Sequence, residues 1–297
     1  MANSIVLAKD YLPVLDEVYK RASLTSRLDA ANDRMKWDGA KSVYLFETEM
    51  DGFGDYSRAN GFPQGDVTSG WREYTLERDR GISLSVDAMD NEETMDMAWG
   101  TLVGEFGRTK EVPEVDAYTF AKIASASGIS GAQADITVGT TDCPALIDTA
   151  EQVMGDDEVP REGNFLYVSE TFYNGIKQKI VRHLANENGV NREVEYFNEM
   201  EVVRVPKTRF NTAITLNDGT DNFGYTVTAG GYPINFMIIN PQAIRKFVKH
   251  RMPRIWTPGE NINADAFKFD LRLYYDVFVL HNKVKGVYVH KASTANS

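Results

Sequence analysis

SVYLFETEMDGFGDYSRANGFPQGDVTSGWREYTLERDRGISLSVD, residues 42–87, is the stretch on which the fold turns. Val43, Leu45 and Glu47 open an alternation that resumes at Trp71, Tyr74 and Leu76 and again at Ile82, Leu84 and Val86, the pattern of strands with one buried face. Between the first two strands runs an excursion, residues 51–70, with glycines at 52, 54, 61, 65 and 70 and few large apolar residues: Phe53, Tyr56, Phe62 and Val67. That is too little apolar surface for a core, and loops of this length are usually functional or disordered. Gly52, Phe53 and Gly54 lack the third glycine and the following helix start that a phosphate loop needs, so they read as a turn.

On the N-terminal side, Leu12, Leu15, Val18, Tyr19, Ala22 and Leu24 fall near helical spacing, but Pro13 and the polar cluster at Ser23–Ser26 interrupt them. This reads as an arm with one short helix. On the C-terminal side, Asp90 or Asn91 is placed to cap a helix, with Glu92 and Glu93 at the positive end of its dipole. Met95, Ala98, Trp99, Leu102, Val103 and Phe106 then form one apolar stripe. The pattern predicts helix from Asn91 to Arg108, resuming after Pro113 to about Ser125, as one helix kinked near the proline or two end to end.

Residues 136–250 alternate helix and strand. Helices are expected at Cys143–Met154, Glu170–Asn186 and Pro241–Lys249, and strands at NFLYVS from Asn164, MEVVRVP from Met200 and INFMIIN from Ile234. TLNDGTDNFG, from Thr215, is a turn between short strands, without the alternation or terminal Glu of a calcium loop. FDLRLYYDVFVLHNKVKGVYVHK, Phe269–Lys291, reads as a long strand, a tight reversal and a second strand, an edge-like hairpin. The fold class is α+β.

Composition narrows the function. A formal charge of -11 and a pI near 5.0 oppose a tight grip on phosphates, which needs clustered Lys and Arg. No apolar run reaches the roughly 18 residues that span a bilayer, so no membrane partner is expected. The single Cys143 excludes an internal disulfide and reads as a small core residue. His183, His250, His281 and His290 show no metal-ligand spacing and read as solvated or core-satisfied. No nucleophile motif, cofactor loop or metal site is legible, and no enzyme is expected.

The order of parts is arm, glycine-rich excursion between strands, long helix, α/β region, terminal strands. It resembles the major capsid protein of tailed bacteriophages with the Hong Kong 97-type fold. The segments that carry the likeness are GAKSVYLFETEMDGFGDYSRANGF, YTLERDRGISLSVDAMDNEET, VPEVDAYTFAKIAS and DVFVLHNKVKGVYVHK. The resemblance implies an N-terminal arm at 1–36, an extended loop at 37–81, a peripheral domain with a spine helix at 82–130, an axial domain at 131–252 and C-terminal strands returning to the peripheral domain at 253–297. It implies loop contacts between subunits through Phe53, Asp55, Tyr56, Arg58, Phe62, Trp71 and Arg72, and a spine core of Met95, Trp99, Leu102 and Phe106. The implied partners are the chain itself in pentamers and hexamers, scaffolding and portal proteins, and packaged DNA touched weakly, all within a virion. A nanocompartment shell that holds an enzyme cargo shares the fold and is the alternative; a soluble α/β enzyme is the more distant one. Two departures from the family pattern are expected. The arm would begin at Met1, without the long scaffolding region of some members, and the loop has no Lys for covalent crosslinking, since none lies between Lys41 and Lys110.

Overall fold

The computed structural model describes residues 23–29, 35–38, 41–58, 61–93, 105–187 and 190–296. Strands β1 (Met35–Asp38), β2 (Ser42–Met50) and β3 (Val67–Thr75) form an antiparallel sheet in that order, with β2 and β3 paired from Ser42↔Thr75 out to Met50↔Val67. Strand β4 (Arg78–Asp87) follows and leads into helix α1 (Ala88–Glu93). The cap lies three residues before Asp90 and four before Asn91: Asp87 Oδ1 accepts the Met89 N–H at 2.9 Å, and Asp90 and Asn91 lie within the helix. Met95, Trp99 and Leu102 lie outside the described residues. Phe106 is described, and its ring meets Phe269 edge-on at 6.1 Å. Pro113 breaks nothing. It sits in the first turn of helix α2 (Val112–Ala124), directly after a π-turn over Gly107–Glu111, where its missing N–H is tolerated.

Next come β5 (Ser130–Gln133), helix α3 (Cys143–Asp156), β6 (Phe165–Ser169) and helix α4 (Glu170–Ile176). Asp142 and Ser169 cap the two helices by accepting the N–H of Ala145 and of Phe172. The helix expected to run to Asn186 stops at Ile176. Residues 181–187 instead form β7 (Val181–Glu187), paired along its whole length with β8 (Val190–Phe197). A two-residue turn with positive φ at Asn198 and Glu199 leads into β9 (Met200–Val205). Strands β10 (Ile214–Leu216) and β11 (Tyr225–Val227) form the small hairpin around the NDG turn, and β12 (Ile234–Ile239) follows.

The helix expected at Pro241–Lys249 is also absent. A 3-10 turn over Pro241–Ala243 gives way to strand β13 (Ile244–Trp256), which pairs with β14 (Ala266–Val279) from Ile244↔Val279 to Trp256↔Lys268, with a bulge between Val248 and His250. Long-range pairing overrides local periodicity here. Pro253 is compatible with it because β13 is an edge strand. The terminal hairpin is corrected too. After β14 a 3-10 turn at His281–Gly286 carries the chain into a different sheet, where β15 (Val287–Lys291) lies parallel to β5 and antiparallel to β12. It is an internal strand, not an edge.

Two larger sheets result. One is antiparallel, in the order β13-β14-β4; the other is mixed and seven-stranded, in the order β5-β15-β12-β6-β9-β8-β7. Alternation in β6 and β12 covers both faces of the second. Leu166, Val168, Phe236 and Ile238 pack under α3 and α4 through Ile147, Ala150, Phe172 and Ile176. Tyr167, Met237 and Ile239 face Phe120 and Ile123 of α2. Helix α2 also sends Val115 and Tyr118 onto Leu273 and Tyr275 of β14, so it joins the two sheets.

Gly131 marks the closest approach in the larger sheet: a Cβ there would lie 2.5 Å from the Val289 carbonyl oxygen across the β5–β15 pair. Gly131→Ala is expected to loosen β5 and lower stability by about 1–3 kcal/mol, read as a lower urea midpoint.

His290, on β15 next to the edge strand β5, is 1% exposed, its ring stacked on Phe236 at 5.0 Å. Asn235 Nδ2 lies 3.1 Å from its Nδ1 and donates to it in the Nε2–H tautomer. Burial holds its pKa below the ordinary 6.5. The unfolded chain therefore binds the proton first, so this contribution to stability is complete above pH 6.5 and is lost as pH falls from there through the folded value. Urea midpoints measured between pH 7 and 5 are expected to fall more steeply for the wild type than for His290→Gln.

Candidate assembly surface

The apolar positions of the β2–β3 hairpin divide along its length. At the base, Val43, Leu45, Tyr74 and the neighbouring Leu76 pack on Phe247, Tyr274, Phe278 and Leu280 of the subunit body. Farther out no described residue covers them: Met50 is 71% exposed, Phe62 85%, and Phe53 is fully exposed. Strand β3 is exposed at nearly every position and forms an edge of its sheet. Large apolar side chains held in water along an unpaired edge mark a surface meant to be covered.

The hairpin end is built from its own contacts. Asp51 donates its N–H to the Asp66 carbonyl at 3.1 Å and its carboxylate accepts the Asp66 N–H at 2.9 Å, and Ser57 and Gly61 bond each other reciprocally at 3.1 and 2.7 Å. Tyr56 and Phe62 meet edge to face at 5.0 Å, forming a two-ring wedge beside Phe53 and the exposed Asp55 and Arg58. Trp71 and Arg72 do not join this end. Trp71 lies along β3 against Phe46, its cross-strand partner, at 5.4 Å, and Arg72 reaches Glu47 at 3.5 Å. Phe46 and Met50 belong to the exposed set and were not singled out from sequence. The signal was there, since Phe46 falls on the opposite face of β2 from the buried Val43 and Leu45.

A second feature ties the N-terminal segment to the body. Asp116, on α2, is completely buried and accepts hydrogen bonds from Ser23 Oγ (2.9 Å), Leu24 N (3.1 Å), Thr25 N (3.3 Å) and Thr25 Oγ1 (2.7 Å), with Arg209 Nη1 at 3.4 Å. Lys246 Nζ, also buried, reaches Asp29 at 2.9 Å and Thr25 Oγ1 at 3.2 Å, and Arg27 pairs with Glu201. Residues 23–29 are thus clamped across both sheets. Further pairs brace α2: Arg80 holds Glu114 in a bidentate pair and also donates to the Asn217 and Gly224 carbonyls of the small hairpin, while Arg251 holds Glu111.

Among the described residues no group of three His, Cys, Asp or Glu side chains could hold a metal ion, and no helix is long and apolar enough to cross a membrane. Burial raises the Cys143 thiol pKa, the opposite of an activated nucleophile.

No family model matches the chain, and no curated protein matches it by sequence. Solved structures do. A capsid structure of the cyanophage P-SCSP1u is 13% identical with a TM-score of 0.60 over 92% of this chain and 89% of that one. The mature capsid of bacteriophage PhiM1 is 13% identical with a TM-score of 0.58 over 86% and 83%. A virus-like particle from Pyrococcus furiosus is 9% identical with a TM-score of 0.54 over 96% and 99%. The long hairpin, the helix joining two sheets and these likenesses over most of the chain establish that it has the Hong Kong 97-type capsid fold.

Proposed function

We propose that the chain is a coat subunit that assembles with copies of itself, through pentamers and hexamers, into the icosahedral shell enclosing phage double-stranded DNA. The observation that carries this reading is the β2–β3 hairpin. Its outer half exposes Phe46, Met50, Phe53, Tyr56, Phe62 and Trp71 to water, a liability in a monomer that a neighbouring subunit removes. Phe53, Asp55, Tyr56, Arg58 and Phe62 act at its end, and Trp71 and Arg72 along its side. The sheet β1–β3 serves as the extended loop, β13–β14–β4 with α2 as the peripheral domain, and the seven-stranded sheet as the axial domain, to which β15 belongs. Scaffolding and portal proteins are the partners during assembly in the host cell. The charge of -11 favours a weak hold on packaged DNA.

A second reading is a shell around a protein cargo, and the likeness to a virus-like particle from Pyrococcus furiosus fits a shell of either content. Electron microscopy of the purified protein tests both. Shells or rings are expected, and a small discrete particle at every concentration would sink the two together. Density-gradient fractions that carry DNA support the coat, and capture of a cargo peptide supports the alternative.

Beyond Lys41 at its base, the loop has no lysine amine, only guanidinium groups, which stay protonated and cannot form an isopeptide bond. Particles boiled in detergent are expected to run as one band near 33.3 kDa. A ladder that survives reduction would contradict a non-covalent shell.

A further inference from the structure

A pocket of about 360 Å³ opens beside the C-terminal end of α3, between the loop that leads into β6 and the β8–β9 turn. Met154, Val159, Met200 and Ile238 give it an apolar floor, and Glu151, Glu199, Asn164 and Arg161 bring polar groups to it. We propose that it binds a small aliphatic cation, a primary ammonium group on a short alkyl chain, held by the Glu151 and Glu199 carboxylates and the Asn164 side-chain oxygen. The inference is independent of the shell reading.

Asn164 is the residue that points to a ligand. It is 7% exposed, and its Oδ1 is a buried acceptor with no hydrogen-bond partner among the described residues, while its Nδ2 donates to the Pro160 carbonyl at 2.9 Å. A buried acceptor is costly unless something donates to it. Strand alternation puts the Asn164 side chain on the face of β6 that carries Leu166, under α3, the side on which the pocket lies. With Nδ2 turned to Pro160, which is not part of the lining, the oxygen is the end left for the pocket.

Charge selects a cation. Asn198 Nδ2 donates to Asp148 Oδ1 at 3.0 Å and to Glu151 Oε2 at 3.1 Å, so one neutral amide draws two carboxylates together. Neither Glu151 nor Glu199 forms an ion pair with a described residue, in contrast to Glu111 and Glu114 near α2. Burial raises the Glu151 pKa, and the charges of Asp148 and Glu199 add to that rise against the pull of the Asn198 amide and Arg161. Two carboxylates against one guanidinium leave the lining with a net negative charge that a single ammonium neutralises. Its three N–H donors match Asn164 Oδ1 and the two carboxylates, and its alkyl chain covers the two methionines of the floor, side chains that adapt to irregular apolar surfaces. Asn198 and Glu199 both have positive φ, and glycine is the usual second residue of such a turn. A glutamate there accepts strain and places a carboxylate at the pocket.

Calorimetric titration of the purified protein with n-butylammonium chloride tests this, with sodium chloride at the same ionic strength as the blank. One equivalent per chain is expected to bind, and n-butanol, the same chain without the charge, is not. Glu151→Gln and the exposed Glu199→Gln are each expected to weaken binding at least tenfold with an unchanged circular dichroism spectrum. Glu162→Gln, on the same loop but outside the lining, is expected to bind as the wild type does. The ammonium is also expected to raise the urea midpoint of the wild type but not that of Glu199→Gln. Heat indistinguishable from the sodium blank, equal binding of n-butanol, or undiminished binding by Glu199→Gln would each overturn the assignment and leave the shell reading standing. Displacement of the amine by one equivalent of calcium chloride would overturn it in favour of a metal site, and tighter binding of L-norleucine than of n-butylammonium would overturn it in favour of a zwitterion anchored through Arg161.

Discussion

Deletion of residues 53–68 is expected to abolish particles while leaving a folded subunit. The removed segment makes its ring contact and its Ser57–Gly61 bonds with itself, and outside itself it bonds Asp51 through Asp66 and pairs with Glu49 and Met50 at the strand end, not with the body. The hairpin base stays anchored by Val43, Leu45 and Leu76. The cut is short enough to heal, because Thr48 and Ser69 are paired neighbours and residues 49–52 can turn between them. The far-ultraviolet spectrum should keep its shape apart from the lost strand ends. What disappears is burial of three aromatic side chains per contact, roughly 1.5–3 kcal/mol each. Summed over a contact, that lowers the association constant by more than about a thousandfold, and micrographs should show no shells. Particles of normal size from the deletion would show that the loop is not an assembly element.

Asp116→Ala is expected to be the most damaging single substitution within the subunit. The carboxylate satisfies two backbone N–H groups and two hydroxyls of residues 23–25 and faces Arg209, all around a site with no exposure of its own. Removing it leaves those donors buried without an acceptor and the guanidinium without its partner, a loss of about 3–5 kcal/mol. The damage should start locally, since of the attachments of residues 23–29 only those of Lys246 to Asp29 and Thr25, Arg27 to Glu201, the Tyr167 hydroxyl to the Leu24 carbonyl and the buried Leu28 would remain. Trypsin should cut after Arg27 much faster in the variant than in the wild type, ahead of global unfolding. A urea midpoint within error of the wild type, with Arg27 still protected, would contradict this account of the clamp.

The sequence by itself determined the elements whose two flanks agree. The glycine-rich stretch at 51–70 lacks apolar residues for a core, and it is an exposed hairpin end. Asp142 with Pro144, and Ser169, start helices where capping chemistry says they should. FLYVS and INFMII are apolar on both faces, and both are internal strands of the larger sheet. Residues 180–187 and 241–249 were not legible in this way. Their periodicity is compatible with a helix, and it is pairing with other strands, β8 across a tight local hairpin and β14 across up to some 35 residues, that makes the extended form win.

Tertiary structure also decided what β15 pairs with. Alternation in VYVHK specifies a strand but not its neighbours, and the chain leaves β14 for the slot between β5 and β12, where both faces of β15 are buried. It decided the role of Asp116 as well. An acid within an amphipathic helix reads locally as solvent-facing, and it is buried here only because a segment about 90 residues earlier brings a set of donors to it. Local pattern records the free energy of a residue against its near neighbours. The partners of β15 and the burial of Asp116 depend on groups far apart in the chain, which meet only when the sheets close around helix α2.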